Sequence, residues 1–220
     1  MNFRELVKAA QERNRSTLAI GLAPALNKLP YEIQRYDDPF LPYSKAVIDA
    51  TADLGCAYVF HLGASLALGA AGAVALERTI AYVPTGLIKI LHGPFANTEY
   101  VRAAFEEGFG ADAVTIAFQS RSTMLVELIN AYTQDAGHGA LIEVRRDHGL
   151  VSLMYPADMN AIWSGQGGEC VEQKDYNLIT LWHSNINIHW YDNIYSQSDN
   201  FRQEIRAAAE KVRRSPDQSA

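Results

Sequence analysis

The sequence predicts an α/β protein built on parallel strands. Segments with helical spacing alternate five times with short apolar runs before residue 145, a rhythm that implies parallel strands joined by crossover helices. With 220 residues and 48% apolar content, the chain can bury a core without help from metal or disulfide.

Phe3, Leu6, Val7 and Ala10 recur at helical spacing, and the run Leu18-Ala19-Ile20-Gly21-Leu22 reads as a buried strand. A Pro-rich loop over 24–42 leads to a helix over 43–54 and a strand over 56–60. A helix over 65–82 then precedes a strand over 87–91, and a helix over 97–107 precedes a strand over 113–117. The fifth unit is a helix over 123–133 with a strand over 140–144. Beyond it the rhythm changes. Residues 140–146 and 150–155 flank Asp147-His148-Gly149 as a hairpin, and 177–182 with 186–191 form a second hairpin. A final helix over 198–213 places Phe201, Ile205, Ala208 and Val212 on one face, with Ser198 or Asp199 as its cap, and 215–220 is a tail.

A net charge of -6 argues against a nucleic-acid partner, which would need a basic face. Cys56 and Cys170 fit no metal-ligand or redox spacing, and the apolar stretch 62–76 is too short to span a bilayer. The expectation is a soluble, cytoplasmic protein without a membrane partner.

Several collinear segments resemble orotidine 5'-phosphate decarboxylases. They are Val47-Ile48-Asp49-Ala50-Thr51-Ala52-Asp53-Leu54-Gly55-Cys56-Ala57-Tyr58, then Glu77-Arg78-Thr79-Ile80-Ala81-Tyr82, then Asn97-Thr98, Arg102-Ala103-Ala104-Phe105 and Gly110-Ala111-Asp112-Ala113-Val114-Thr115. The resemblance covers residues 1–135, leaves 136–197 divergent and is followed by the helix over 198–214. It implies one (β/α)8 TIM-barrel-like domain, with a shortened or remodelled C-terminal third containing β-hairpins. It also implies a homodimer, whose edge would include Phe95 and Thr98, and no cofactor.

The family's chemistry uses an alternating array of two lysines and two aspartates. By the resemblance, the first lysine falls on Val59. The Asp-x-Lys-x-x-Asp motif falls on Lys89, Leu91 and Pro94, and the ribose-binding aspartate on Ala23. The expectation is therefore a protein without decarboxylase activity, holding a small molecule or serving as a scaffold for a protein partner. The alternative is a repurposed enzyme of a specialised pathway, acting on a small polar or aromatic substrate with His61 and Lys89 in the pocket.

Side chains alternate along a strand, so Val59 pairs with His61 in direction, and Lys89 with Leu91. If the family's inward direction holds, His61 and Lys89 face the pocket, with Glu143 as the lysine's partner. Lys89 is then either a reactive amine or one half of a structural ion pair. His92 closes the strand next to that of His61. Neither this pair nor His183 and His189 has a zinc spacing with a third ligand, so no metal is expected. Arg145 is either an anion contact or an exposed strand end. Gln166-Gly167-Gly168 resembles the family's phosphate loop, and Tyr191 stands near the position of its phosphate arginine. Thr98 completes the candidate ligand-binding set.

Overall fold

The computed structural model describes residues 3–93, 95, 97–105, 108–117, 127–129, 131–132, 137–145, 151–156, 168–170, 173–175, 178–183, 186–191 and 197–213. The expected α/β alternation is present. The helix α1 (Phe3–Asn14) leads to β1 (Leu18–Leu22), and a loop containing the short α2 (Tyr31–Gln34) leads to α3 (Phe40–Thr51) and β2 (Ala57–His61). Next come α4 (Leu62–Ser65), a 3-10 turn, α5 (Gly69–Tyr82), β3 (Ile88–His92), α6 (Thr98–Ala104) and β4 (Ala113–Ala117).

The C-terminal third is strand-rich. It holds β5 (Gly139–Arg145), β6 (Val151–Pro156), β7 (Gly168–Cys170), β8 (Gln173–Asp175), β9 (Leu178–His183) and β10 (Ile186–Tyr191), closed by α7 (Phe201–Arg213). Its hairpins are antiparallel, β5 with β6 and β9 with β10, as the sequence predicts. The turn 147–149 and most of the expected helix over 123–133 lie outside the described residues.

The ten strands among the described residues form one sheet in the order β7-β6-β5-β4-β3-β2-β1-β10-β9-β8, and β10 through β5 along it run parallel. The sheet curls until β6 and β7 come alongside β9.

Local chemistry explains the boundaries. α3 begins three residues before the expected start because Pro42 sits in its first turn, where a missing N–H breaks no helical bond. α1 stops at Arg15, whose φ of 48° is left-handed, and the Asn14 amide then donates to the carbonyls of Ala52 and Gly55, each at 2.7 Å. The helical run 62–82 is longer than its apolar stretch suggests. By length and composition it is long and apolar enough to cross a membrane, yet Ala75, Leu76, Thr79 and Ile80 are buried and it packs as the crossover between β2 and β3.

Two apolar layers clasp the sheet. Phe3, Val7 and Ala10 of α1 pack on Ala19, Ala57, Val59, Ile88, Ile90, Ala113 and Leu141, which define the inner face. Helices α3, α5, α6 and α7 cover the outer face through Ile20, Tyr58, Phe60, Leu91, Val114 and Ile116. Along α7 the buried residues are Phe201, Ile205 and Ala209, a strict four-residue step, rather than the expected Ala208.

Candidate functional site

The inner face ends at the carboxyl edges of β2, β3 and β4 in a polar layer. In-register pairing sets His61 beside His92, and their rings meet edge to face with centroids 4.7 Å apart and planes at 71°. Across the next strand, His92 Nδ1 lies 2.8 Å from the Thr115 hydroxyl. Thr115 is buried and also accepts the Gly93 N–H at 3.1 Å.

Tyr100 of α6 closes the layer from outside. Its phenol donates to the Leu91 carbonyl at 3.4 Å, and burial holds its ionisation well above the usual tyrosine range. Asn97 positions it by capping α6, its side chain accepting the Tyr100 N–H at 2.8 Å. The Phe95 ring packs on Tyr100 at 5.2 Å. A Cβ at position 93 would stand 3.0 Å from the Tyr100 oxygen and 3.1 Å from the Phe95 ring, so both side chains would have to give by a few tenths of an ångström.

Lys89 is elsewhere. Register pairs it with Tyr58, and Val59 with Ile90, so Lys89 and Leu91 lie on the opposite face from His61 and His92. Among the described side chains its partner is Asp112, at 3.8 Å; the side chain of Glu143, the expected partner, lies outside the described residues. The Asp112 carboxylate also accepts the Lys89 backbone N–H at 2.8 Å, which ties the amino-terminal part of β3 to the start of β4. Burial raises the Asp112 pKa, against the lowering effect of its Lys89 contacts.

The other sequence candidates are placed by strand position alone. Thr98 opens α6 and is half-buried. Along the backbone, Glu143 pairs with Ala117 and Leu153, Arg145 with Val151, Gly168 with Pro156, and Tyr191 with Ile20 and Leu178. Gln166, Gly167 and Pro94 lie outside the described residues. The structure thus brings together His61 and His92 and adds two residues that the sequence reading missed. Thr115 carried a signal, being the polar residue within the apolar run Ala113-Val114-Thr115-Ile116-Ala117. Tyr100 carried none beyond its place three residues after Asn97.

Among the described residues, no group of three or more His, Cys, Asp or Glu is placed to hold a metal ion. A shallow cleft of about 480 Å³ lined by Asp53, Leu54, Arg206, Glu210 and Arg213 contains none of the candidates.

Comparison with known proteins agrees with this architecture. No protein-family model matches the chain. An orotidine 5'-phosphate decarboxylase from Herpetosiphon aurantiacus is 40% identical over 120 residues, covering 52% of this chain and 45% of that protein. One from Roseiflexus castenholzii is 36% identical over 181 residues, covering 76% of this chain and 66% of that protein. The chain is similar to orotidine 5'-phosphate decarboxylases. It spans less than half the length of the first such relatives, at 45%, 43% and 44%.

Among solved structures, a Toxoplasma gondii protein described as an orotidine-monophosphate decarboxylase superposes with a TM-score of 0.58 at 24% identity, covering 67% of this chain and 50% of that one. The Plasmodium berghei orotidine 5'-monophosphate decarboxylase gives 0.52 at 15% identity, covering 67% and 62%. These likenesses bear out the barrel-type α/β fold.

The expectation of a protein without decarboxylase activity is corrected by the curated relatives. Several at 40% identity carry the decarboxylase name, and they point to that enzymatic function. The strand register also turns Lys89 and Leu91, which the resemblance sets on the catalytic motif, to the outer face and not into the expected pocket.

Proposed function

We propose that the chain is an enzyme of orotidine 5'-phosphate decarboxylase type, taking a carboxylated pyrimidine nucleotide at the carboxyl edges of β1 to β4. The observation that carries this reading is the 40% identity over 120 residues to a relative of that name. Decarboxylation breaks a carbon–carbon bond, releases CO2 and leaves on the ring carbon an electron pair that must take a proton. Imidazole is the side chain best suited to hand over a proton at neutral pH, and His61 and His92 bring two to this edge. Ala23 and Val59 bring no charge, so in this chain the proton-donating role falls to the imidazoles.

The test uses protein made in a host lacking its own decarboxylase, with CO2 release from orotidine 5'-phosphate as the readout. Turnover above background that disappears in the His61→Asn/His92→Asn double variant is expected. A protein that binds uridine 5'-monophosphate but turns over no substrate overturns the catalytic assignment. Failure to bind either nucleotide overturns the substrate class.

The same reading takes the chain as a soluble, cytoplasmic homodimer. Phe95, 37% exposed beside Thr98, supports an apolar contact at that edge. A monomer mass by light scattering at micromolar concentration overturns the dimer.

A further inference from the structure

We infer that a cavity between α3, α5 and the carboxyl ends of β1 and β2 is a binding site for one ordered water molecule, which takes the hydrogen of Ser44 and gives its own two to Ser65 and Thr79. This goes beyond the function proposed above and does not rest on it.

The cavity measures about 10 Å³, and every residue lining it is buried. One water needs about 10–15 Å³, so the space admits a single water and nothing larger. Its walls are apolar at Leu22, Phe40 and Phe60, and they carry hydroxyl-bearing side chains at Ser44, Ser65 and Thr79. A wholly apolar cavity stays dry, whereas three hydroxyls fall within the two to four polar partners that a buried water takes.

Ser44 sets the direction of the bonds. The other buried hydroxyls on the described helices turn back to the carbonyl four residues earlier. Thr51 donates to Val47 at 2.7 Å, Ser65 to His61 at 3.1 Å and Thr79 to Ala75 at 2.7 Å. Ser44 is 4% exposed in the middle of α3, and among the described residues no group shares a hydrogen bond with its hydroxyl. A buried donor in that position is costly, and a water in the cavity beside it removes the cost.

Ser65 and Thr79 have spent their hydrogens on backbone carbonyls, so toward the cavity their oxygens can only accept. One acceptance from Ser44 and two donations to Ser65 and Thr79 use three of the water's four bonds. Because the Ser65 hydrogen goes to the His61 carbonyl, the water ties α3 and α5 to the end of β2 and steadies the strand end that carries His61.

The experiment uses the full chain. A high-resolution crystal structure of the parent is expected to show one ordered oxygen within about 2.5–3.2 Å of all three hydroxyls, and that of Ser44→Val to lack it. A parent whose Ser44 hydroxyl turns to the Phe40 carbonyl, with no such oxygen in the cavity, overturns the inference.

Urea melts of Ser44→Ala, Thr79→Val and the double variant test the bridge in solution, and helix propensities cancel in that cycle. A shared water makes the two losses overlap, so the unfolding constant of the double variant is expected to fall about threefold or more below the product of the single changes. Changes that simply multiply overturn the bridge, even where the crystal shows the oxygen.

Discussion

Arg206 grips Asp53 with both ends of its guanidinium, Nη1 on Oδ1 and Nη2 on Oδ2, each at 2.7 Å. Nη1 also donates to the Ala50 carbonyl at 2.9 Å, and Nε reaches Glu210 at 3.2 Å. One side chain thereby ties α7 to the end of α3, beside the stacked rings of Tyr43 and Phe201.

That grip should show in stability and in its pH dependence. The pair is 40% and 62% exposed, so solvent screening limits its worth, and Arg206→Met is expected to cost about 1 kcal/mol at pH 7. The hydrogen bond to Arg206 lowers the Asp53 pKa below 3.8. A lowered carboxylate pKa gives stability that is present above the unfolded value and lost as the pH falls through the folded one. Denaturant melts of parent and variant should therefore differ steadily from pH 7 to 5 and converge below pH 4.

Asp112 has the opposite sign, because burial raises its pKa above 3.8. Its titration contributes stability that is full below the unfolded pKa and lost as the pH rises through the folded one. Asp112→Asn removes the charge yet keeps an oxygen for the Lys89 N–H, so it should cost less than about 1 kcal/mol and flatten this pH dependence. Asp112→Ala leaves that N–H without its acceptor and should cost about 1–3 kcal/mol. Equal losses for Asn and Ala in urea melts would refute the assignment.

Gly139 sits where α1 closes the inner face. A Cβ there would lie 2.7 Å from the Phe3 ring and 2.8 Å from the Ala113 methyl. Gly139→Ala is expected to destabilise the fold by about 1–3 kcal/mol through overpacking. Adding Phe3→Leu should return part of that loss, since it withdraws the ring edge. Additive losses in the double variant would show that α1 is not the contact under strain.

The parallel half of the fold was legible because local pattern and tertiary role agree there. Leu18–Leu22 and Ala113–Ala117 are apolar runs between helical segments, and they are strands with the boundaries that the sequence predicts. The hairpins were legible too, from the apolar runs flanking short polar turns. The site was less so. His61 and His92 could be named from strand ends, but their shared face depends on the register of β2 against β3, which no local pattern specifies. Lys89 misled for the same reason. Counted along one strand it belonged in the pocket, whereas paired against Tyr58 it belongs to the helical side.

The contrast between Lys89 and His92 gives the most direct check on where the site lies. Lys89 is the second residue of β3 and pairs with Asp112, while His92 ends the same strand in contact with Thr115. Lys89→Met should leave uridine 5'-monophosphate affinity within about twofold and cost about 1 kcal/mol of stability, as the partly buried carboxylate loses its cation. His92→Gln, at the partly exposed carboxyl edge, should reverse the pattern. It should weaken the nucleotide about tenfold or more while moving the melting temperature little. Calorimetric titration of both variants alongside their thermal melts separates the two. If Lys89→Met abolishes binding and His92→Gln does not, the nucleotide sits near the Lys89–Asp112 pair on the outer side of β3, and the polar layer around Thr115 is packing alone.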